Sequence, residues 1–378
     1  MSGSYNEHSK FSPSSAHRIL ACTPSLLLEQ QFPKETSTYA EEGTAAHDLA
    51  EHKLKKVLKM RSKKPVSKYD SDEMDEYTDT YVEYCLGIIE KVKENCKDLQ
   101  ILIEQKLDFS DYVEGGFGTG DFVIVGTGKL HVIDFKYGRG VIVSAEKNPQ
   151  MMLYALGALS LFDMLYDIKK VTMTIVQPRT DNFSTYEMSV DDLLKWAEEE
   201  LKPKALLALK GEGEFCAGKH CRFCRAKNKC RVRAAKNLEL LKYEFADPAL
   251  LSDEEIAEII GVSEELSKWA GDIYAYASAL AINEGRHWDG YKLVEGRTRR
   301  KYTNEETVAE TAKSAGYSDI YKKSLISVTE MEKLMGKKKF KDILGSLVEK
   351  PKGKLTLVEE SDKRKAVESI TEEFQVEK

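Results

Sequence analysis

Long apolar runs are missing from this chain. No stretch of its 378 residues reaches the roughly 20 apolar residues that a membrane-spanning helix needs. The opening text, MSGSYNEHSKFSPSS, is polar and lacks the apolar core of a secretory signal. A cytoplasmic protein with no membrane partner is therefore expected. Also missing are an internal repeat and a GxxxxGK[ST] phosphate loop, so the chain has no motif for driving a nucleotide-powered motor of its own.

What is there reads as an ordinary globular protein, 42% hydrophobic and 32% charged, with length for one large domain or two modest ones. A net charge of −6 argues against an indiscriminate nucleic-acid binder. Charge is uneven, however. Residues 216–236, CAGKHCRFCRAKNKCRVRAAK, are rich in Lys and Arg without one acid, and RTRRK at 297–301 and KKKFK at 337–341 are further basic clusters. Such local patches, rather than net charge, set contact with phosphates. Seven cysteines in a cytoplasmic chain point to metal ligands or plain thiols rather than disulfides.

Helical spacing and capping residues predict an N-terminal helix from Ser14 or Ser15 to about Glu29, a second over Glu41 to Lys59 and a third over Asp70 to Asn95. A strand follows over Leu99 to Leu107. The next text, GFGTGDFVIVGTGKLHVIDFKYGRG at 116–140, reads as a β-hairpin. Its first strand opens at Gly120 and Asp121, Gly126 to Gly128 turn, and Leu130 to Phe135 return. Pro149 opens an amphipathic helix, Val171 to Gln177 is a strand, and Val190 to about Lys210 is another helix. Asp253 to Asn283 is a long helix in a Lys/Glu-rich C-terminal part. The order implies a mixed sheet flanked by helices, an α/β or α+β sandwich. Three regions are expected: 1–245 as the main domain, 246–350 as a helical module, and 351–378 as a charged tail.

The hairpin carries the chemistry. It sets Asp121 beside Asp134 and Lys136, and two carboxylates converging with an ammonium can bind Mg²⁺ or Mn²⁺ and activate water against a phosphodiester. His47, behind the Gly43-Thr44 helix entry, is a candidate metal ligand. Glu104, on the strand before the hairpin, is a further candidate acid. Gln150 and Tyr154 are four apart and share a helix face. Cys221-x2-Cys224-x5-Cys230 has metal-ligand spacing, and Cys216, with His220 near, would complete a local zinc set. Cys85 and Cys96 lack partner spacing and read as buried thiols.

In this order, Gly43-x3-His47, Asp121, Asp134-Phe135-Lys136 and Gln150-x3-Tyr154 resemble the RecB-type branch of the PD-(D/E)xK nucleases, over about residues 11–235. Asp121 follows Gly120 where the superfamily often has Pro. The resemblance implies a restriction-endonuclease-like core in which His47, Asp121, Asp134 and the Phe135 carbonyl hold Mg²⁺ or Mn²⁺. Lys136 would orient or deprotonate the attacking water and stabilise charge on the phosphate, while Gln150 and Tyr154 position the strand or the lysine. The text SPSSAHRILACTPS around Cys22, with the late cysteines, is similar to the iron–sulfur members of that branch, the AddB helicase-nucleases and the CRISPR-adaptation nucleases. That similarity implies a [4Fe–4S] cluster on Cys22, Cys221, Cys224 and Cys230, against the local zinc site with Cys216.

The tail text KLTLVEESDKRKAV looks like a phage and prophage family of the same branch. The implied function is a metal-dependent DNA nuclease, an exonuclease serving phage DNA replication and recombination. Its partners would be DNA and a phage single-strand-binding or annealing protein. Two other readings stand beside it: a non-catalytic DNA-binding or scaffold protein on the same fold, and a zinc-containing nucleic-acid adaptor built on the basic cysteine segment.

Overall fold

The computed structural model describes residues 9–33, 37–94, 96, 98–126, 128–162, 164–239, 251–293, 305–314, 331, 334–344 and 347–348. The chain divides into two compact units, Met1–Ala279 and Leu280–Lys378. The first is built on a five-stranded mixed sheet in the order β1 (Gln100–Asp108), β2 (Phe117–Gly126), β3 (Lys129–Phe135), β4 (Lys170–Gln177), β5 (Asn182–Ser189). β1, β2 and β3 form an antiparallel meander, β4 runs parallel to β3, and β5 closes the sheet antiparallel to β4. A parallel pair needs a crossover, and helix α5 (Pro149–Phe162) supplies it.

Preceding the sheet are α1 (Ala16–Ala21), α2 (Ser25–Leu28), α3 (Thr38–Val57) and α4 (Asp72–Lys93). After it come α6 (Val190–Trp196), α7 (Lys202–Lys210), α8 (Arg231–Leu238) and α9 (Asp253–Glu284). Ser37 caps α3 by accepting the Ala40 N–H, and Ser71 caps α4 by accepting the Met74 N–H. Each hydroxyl satisfies a helix-end donor that would otherwise be unpaired, worth about 1 kcal/mol. Ala46, Leu49, Ala50 and Leu54 of α3 recur at three- and four-residue spacing and pack with Met74, Tyr81 and Cys85 of α4 on one sheet face. That face presents Phe122, Ile124, Ile133 and Phe135. Val123, Val125, Leu130 and Val132 alternate to the opposite face, against the largely buried α5 and the helices around it. Gly157 lets α5 approach the sheet closely, because a Cβ there would stand 2.8 Å from Leu107 Cβ and 3.0 Å from the Leu107 carbonyl carbon.

The structure is therefore the expected mixed sheet flanked by helices, with several local differences. The N-terminal helix does not run to Glu29. It stops at Cys22, whose backbone is extended, and Pro24 follows; proline cannot donate to a continuing helix. Neither Ser14 nor Ser15 caps through its side chain. The predicted helix over 190–210 is α6 and α7 joined by one π turn, Ala197–Leu201. Pro203 removes the N–H that would bond the carbonyl four residues earlier, and a π turn absorbs such a mismatch. β5 was not expected, since its buried and exposed positions alternate along a polar text.

The expected boundary at 246 falls in 240–250, outside the described residues, as do RTRRK at 297–301 and the tail at 351–378. The first unit extends to Ala279. In the second unit, α10 (Glu305–Ser314) and α11 (Lys337–Leu344) are described, the latter containing the KKKFK cluster. Among the described residues no helix is long and apolar enough to cross a membrane.

Candidate metal centre

Along the β1–β2 ladder Ile103 pairs with Phe122 and Gln105 with Gly120, leaving Glu104 opposite Asp121 without a ladder pair. Glu104 has φ 49°, a left-handed conformation rare for a side-chain-bearing residue within a strand. Such strain costs about 1–3 kcal/mol and persists only where its surroundings enforce it. At this break the Glu104 carboxyl meets Asp121 and His47. One ligand atom from each of the three lies within 4.8 Å of the other two, and no other such group of His, Cys, Asp or Glu occurs among the described residues. Ligands of one octahedral Mg²⁺ stand about 3–4 Å apart, so a small closure would seat a cation.

The site is held from three sides. His47 comes from α3, with Nδ1 3.4 Å from Asp121 Oδ2 and its ring 5.3 Å from that of Phe135. Asp121 Oδ2 also accepts the Phe135 N–H at 2.7 Å, which ties β2 to β3 at this point. On β3, Asp134 is buried and accepts a 3.1 Å hydrogen bond from Gln150 Nε2 at Oδ1. Lys136 Nζ stands 2.9 Å from Asp134 Oδ2, and this ion pair is that buried oxygen's partner. Lys136 also donates to Gln150 Oε1 at 3.2 Å, and Gln150 reaches Tyr154 Oη at 3.1 Å.

The electrostatics are those of buried, mutually interacting charges of both signs. Burial and then the Asp121 charge push the Glu104 carboxyl up to about 8. Burial presses Asp121 upward as well, but His47, Lys136 and the Phe135 amide together hold it below its ordinary value. Asp134 is raised by burial despite Lys136. Burial pulls His47 down, yet Asp121 outweighs it, lifting the imidazole to about 9. Lys136 is raised because Asp134 and Asp121 overcome its desolvation. Crowded carboxylates, two of them raised by burial, suit a hard divalent cation.

The sequence reading placed His47, Asp121, Asp134 and the Phe135 carbonyl together as ligands, with Glu104 among the acids. The structure brings His47, Glu104 and Asp121 within one ligand sphere and sets Asp134 beside it, tied to Lys136 and Gln150. No sequence signal marks Glu104 as a ligand, because its place depends on a left-handed twist at a non-glycine residue.

The late cysteines gather with Cys22 around a second pocket. Cys22, Cys216, Cys221, Cys224 and Cys230 line one pocket with Arg18, His220 and Arg233. The Cys216 N–H points at Cys22 Sγ (3.5 Å) and the Gly218 N–H at Cys221 Sγ (3.4 Å). Burial pushes the Cys224 thiol up to about 11. The ends of this domain are fastened around the pocket: Thr23 Oγ1 donates to the Glu212 carbonyl, and buried Glu29 pairs with Arg18 and accepts the Arg225 N–H. Cys85 and Cys96 are buried thiols, as read from the sequence.

The basic segment 216–236 is open in part: Lys219, Arg222, Arg225, Lys229, Arg231 and Lys236 are exposed, but two of its cations are turned inward. Arg233 is 1% exposed and paired with Glu265 and Asp272 of α9, and Lys227 also reaches Asp272. The acids that answer these cations lie over thirty residues downstream, beyond the reach of a local reading.

A family profile described as a protein of unknown function, DUF2800, matches residues 8–365. The chain belongs to this family. Among solved structures, SSO0001 is similar at 15% identity over 58% of this chain and 97% of its own, with a TM-score of 0.21. At that score the similarity carries no argument about fold or site.

Proposed function

We propose that this DUF2800 member is a divalent-metal-dependent DNA nuclease with a RecB-type, restriction-endonuclease-like core. The observation that carries the reading is the convergence of His47, Glu104 and Asp121 beside the Asp134–Lys136–Gln150–Tyr154 network. The residues fit Mg²⁺ or Mn²⁺: oxygen donors with one imidazole, within 4.8 Å of one another, and a carboxyl destabilised by burial and by Asp121. When bound, the cation supplies Lewis acidity and offsets the negative charge that develops on the phosphate.

The chain's own groups would do the rest. His47, Asp121 and Glu104 would hold the cation, with Asp134 beside them and the Phe135 carbonyl as the further ligand that the family resemblance implies. Lys136, raised by its carboxylates, keeps its proton at neutral pH. It thus acts as a fixed positive charge and donor toward the reacting oxygens rather than as the base. Gln150 sets the lysine and Asp134 by bonding both, and Tyr154 fixes Gln150.

A [4Fe–4S] cluster on Cys22, Cys221, Cys224 and Cys230 belongs to the same reading. No three cysteine sulfurs lie within 4.8 Å of one another among the described residues, whereas sulfurs on one tetrahedral zinc stand about 3.8 Å apart. The wider arrangement, with Cys22 in the same pocket as the late cysteines, favours a cluster that links both ends of the domain. DNA is the proposed partner, with a phage single-strand-binding or annealing protein as its expected companion.

The test is degradation of linear DNA by the purified protein. Activity should require Mg²⁺ or Mn²⁺, and Asp134→Ala and Lys136→Ala should each lower it by about 10²-fold or more while remaining folded. If both variants retain activity in metal-replete buffer, the assignment is wrong.

A further inference from the structure

Helix α5 has a second flank. Gln150 and Tyr154 face the metal centre, whereas Pro149 and Met152 of the same first turns line a cavity of about 630 Å³ that the centre does not use. Its size is that of a small-molecule site. The other walls come from α1, β5 and the α6–α7 segment.

Two backbone features shape it. Asp192, Trp196, Glu200 and Lys204 all line the cavity at intervals of four residues. On an uninterrupted α-helix that spacing drifts by about 120° over three steps, enough to carry Lys204 off the wall. The π turn at Ala197–Leu201 takes up the drift, and such turns concentrate at functional sites. Across the cavity, Lys147 has φ 46°, a strained position that holds a lysine at the rim just before α5. Among the described residues Lys147 has no carboxylate partner, while Lys204 is answered by Glu200 at 2.9 Å.

The lining chemistry is specific. Trp196 and Tyr186 offer aromatic surface, and Met152 and Met188 add polarizable thioethers. Lys147 supplies an unanswered cation, and Asp192 an acceptor within the same walls. Flat aromatic surface, one free positive charge and a carboxylate acceptor match a nucleotide: a base to stack, a phosphate to pair, and amino or hydroxyl groups to donate.

We propose that this cavity is a nucleotide subsite that seats one base of a single strand on Trp196 and Tyr186, with its phosphate at Lys147. The assignment to a strand, rather than to a free nucleotide, rests on the nuclease reading. It follows from α5 carrying both sites, so that a strand with one phosphate at the metal centre can turn a neighbouring base into the cavity.

The experiment uses the full chain with Asp134→Ala, without divalent metal, titrated with a single-stranded hexadeoxynucleotide and, separately, with deoxyadenosine monophosphate. The hexamer should quench tryptophan fluorescence saturably, and Trp196→Phe should remove most of that quench although Trp269 and Trp288 remain. Trp196→Ala should weaken hexamer affinity about tenfold, the size of one lost base stack. Lys147→Ala, at an exposed position and with its fold checked by circular dichroism, should weaken binding and lower its salt slope by about one. Unchanged hexamer affinity in both Trp196→Ala and Lys147→Ala overturns the proposal. A mononucleotide that binds as tightly as the hexamer overturns the strand assignment in favour of a free-nucleotide site. The two readings fail separately. Metal-dependent cleavage with unchanged binding in both Trp196→Ala and Lys147→Ala sinks the subsite alone, and Trp196-dependent binding in a wild-type protein that never cleaves sinks the nuclease alone.

Discussion

Replacing Glu104 with Gln should stabilise the metal-free protein at alkaline pH while weakening its metal affinity. The carboxyl rises from an ordinary 4.5 to about 8 because it is desolvated and faces Asp121. A folded-state value above the unfolded one means that folding favours the protonated form. Its contribution is therefore fully present below about pH 4.5 and is lost as pH climbs through about 8. At about 1.4 kcal/mol per pH unit the ceiling is about 5 kcal/mol. Relaxation and solvent entry reduce this, and about 2 kcal/mol is the expected gain for Glu104→Gln near pH 9. His47, lifted to about 9, stabilises at low pH and loses that contribution as pH rises through about 9 in both proteins, and so cancels to first order. The assay is urea unfolding followed by circular dichroism in EDTA, near pH 5 and near pH 9. The variant should match wild type at the acid end and exceed it at the alkaline end. With Mn²⁺ added the order should reverse near pH 9, because the cation relieves wild type of its repulsion and has one ligand fewer in the variant. Equal gains at both pH values, or none at either, would refute the reasoning.

Arg233→Ala should destabilise by about 3–5 kcal/mol in the same unfolding assay, since Glu265 and Asp272 lose their buried partner; Arg233→Met, which restores volume but not charge, should do little better. Cys22→Ser should lose iron and the absorbance near 400 nm of anaerobically purified protein, whereas Cys216→Ser should keep both. A colourless protein holding one zinc that depends on Cys216 and not on Cys22 would reject the cluster. Gln177→Leu should free the 138–143 loop behind Lys136, because Gln177 Nε2 donates to the Gly138 and Val141 carbonyls and its Oε1 accepts the Val143 N–H. Faster amide exchange across that loop, at a cost of about 1–3 kcal/mol, is the expected signature.

Much of the centre was legible because its residues lie where periodicity is strong. β2 and β3 alternate apolar residues around a glycine-bearing turn, so Asp121, Asp134 and Lys136 could be set side by side before any coordinates. Gln150 and Tyr154 followed from four-residue spacing on one helix. Glu104 was visible as an acid on the preceding strand, but its entry into the ligand sphere depends on φ 49° at that residue, which nothing in ILIEQKL announces. β5 was hidden because its alternation is between half-buried and exposed positions, not between apolar and polar ones. The π turn has a sequence cause in Pro203, yet proline alone predicts a break as readily as a bulge. The burial of Arg233 inside a basic run is hidden for a plainer reason: burial of a charge is decided by partners, and its partners are on α9.

The central claim is that His47, Glu104 and Asp121 form a divalent-cation centre, and Mn²⁺ binding followed by electron paramagnetic resonance tests it most directly. Wild type should bind one Mn²⁺ tightly, with affinity rising from pH 6 to 8 as His47 and Glu104 give up protons. Asp121→Asn and His47→Ala should each abolish that tight site, while Lys147→Ala leaves it intact. A wild-type protein that binds no Mn²⁺ above background, or variants that bind it as tightly as wild type, would contradict the account.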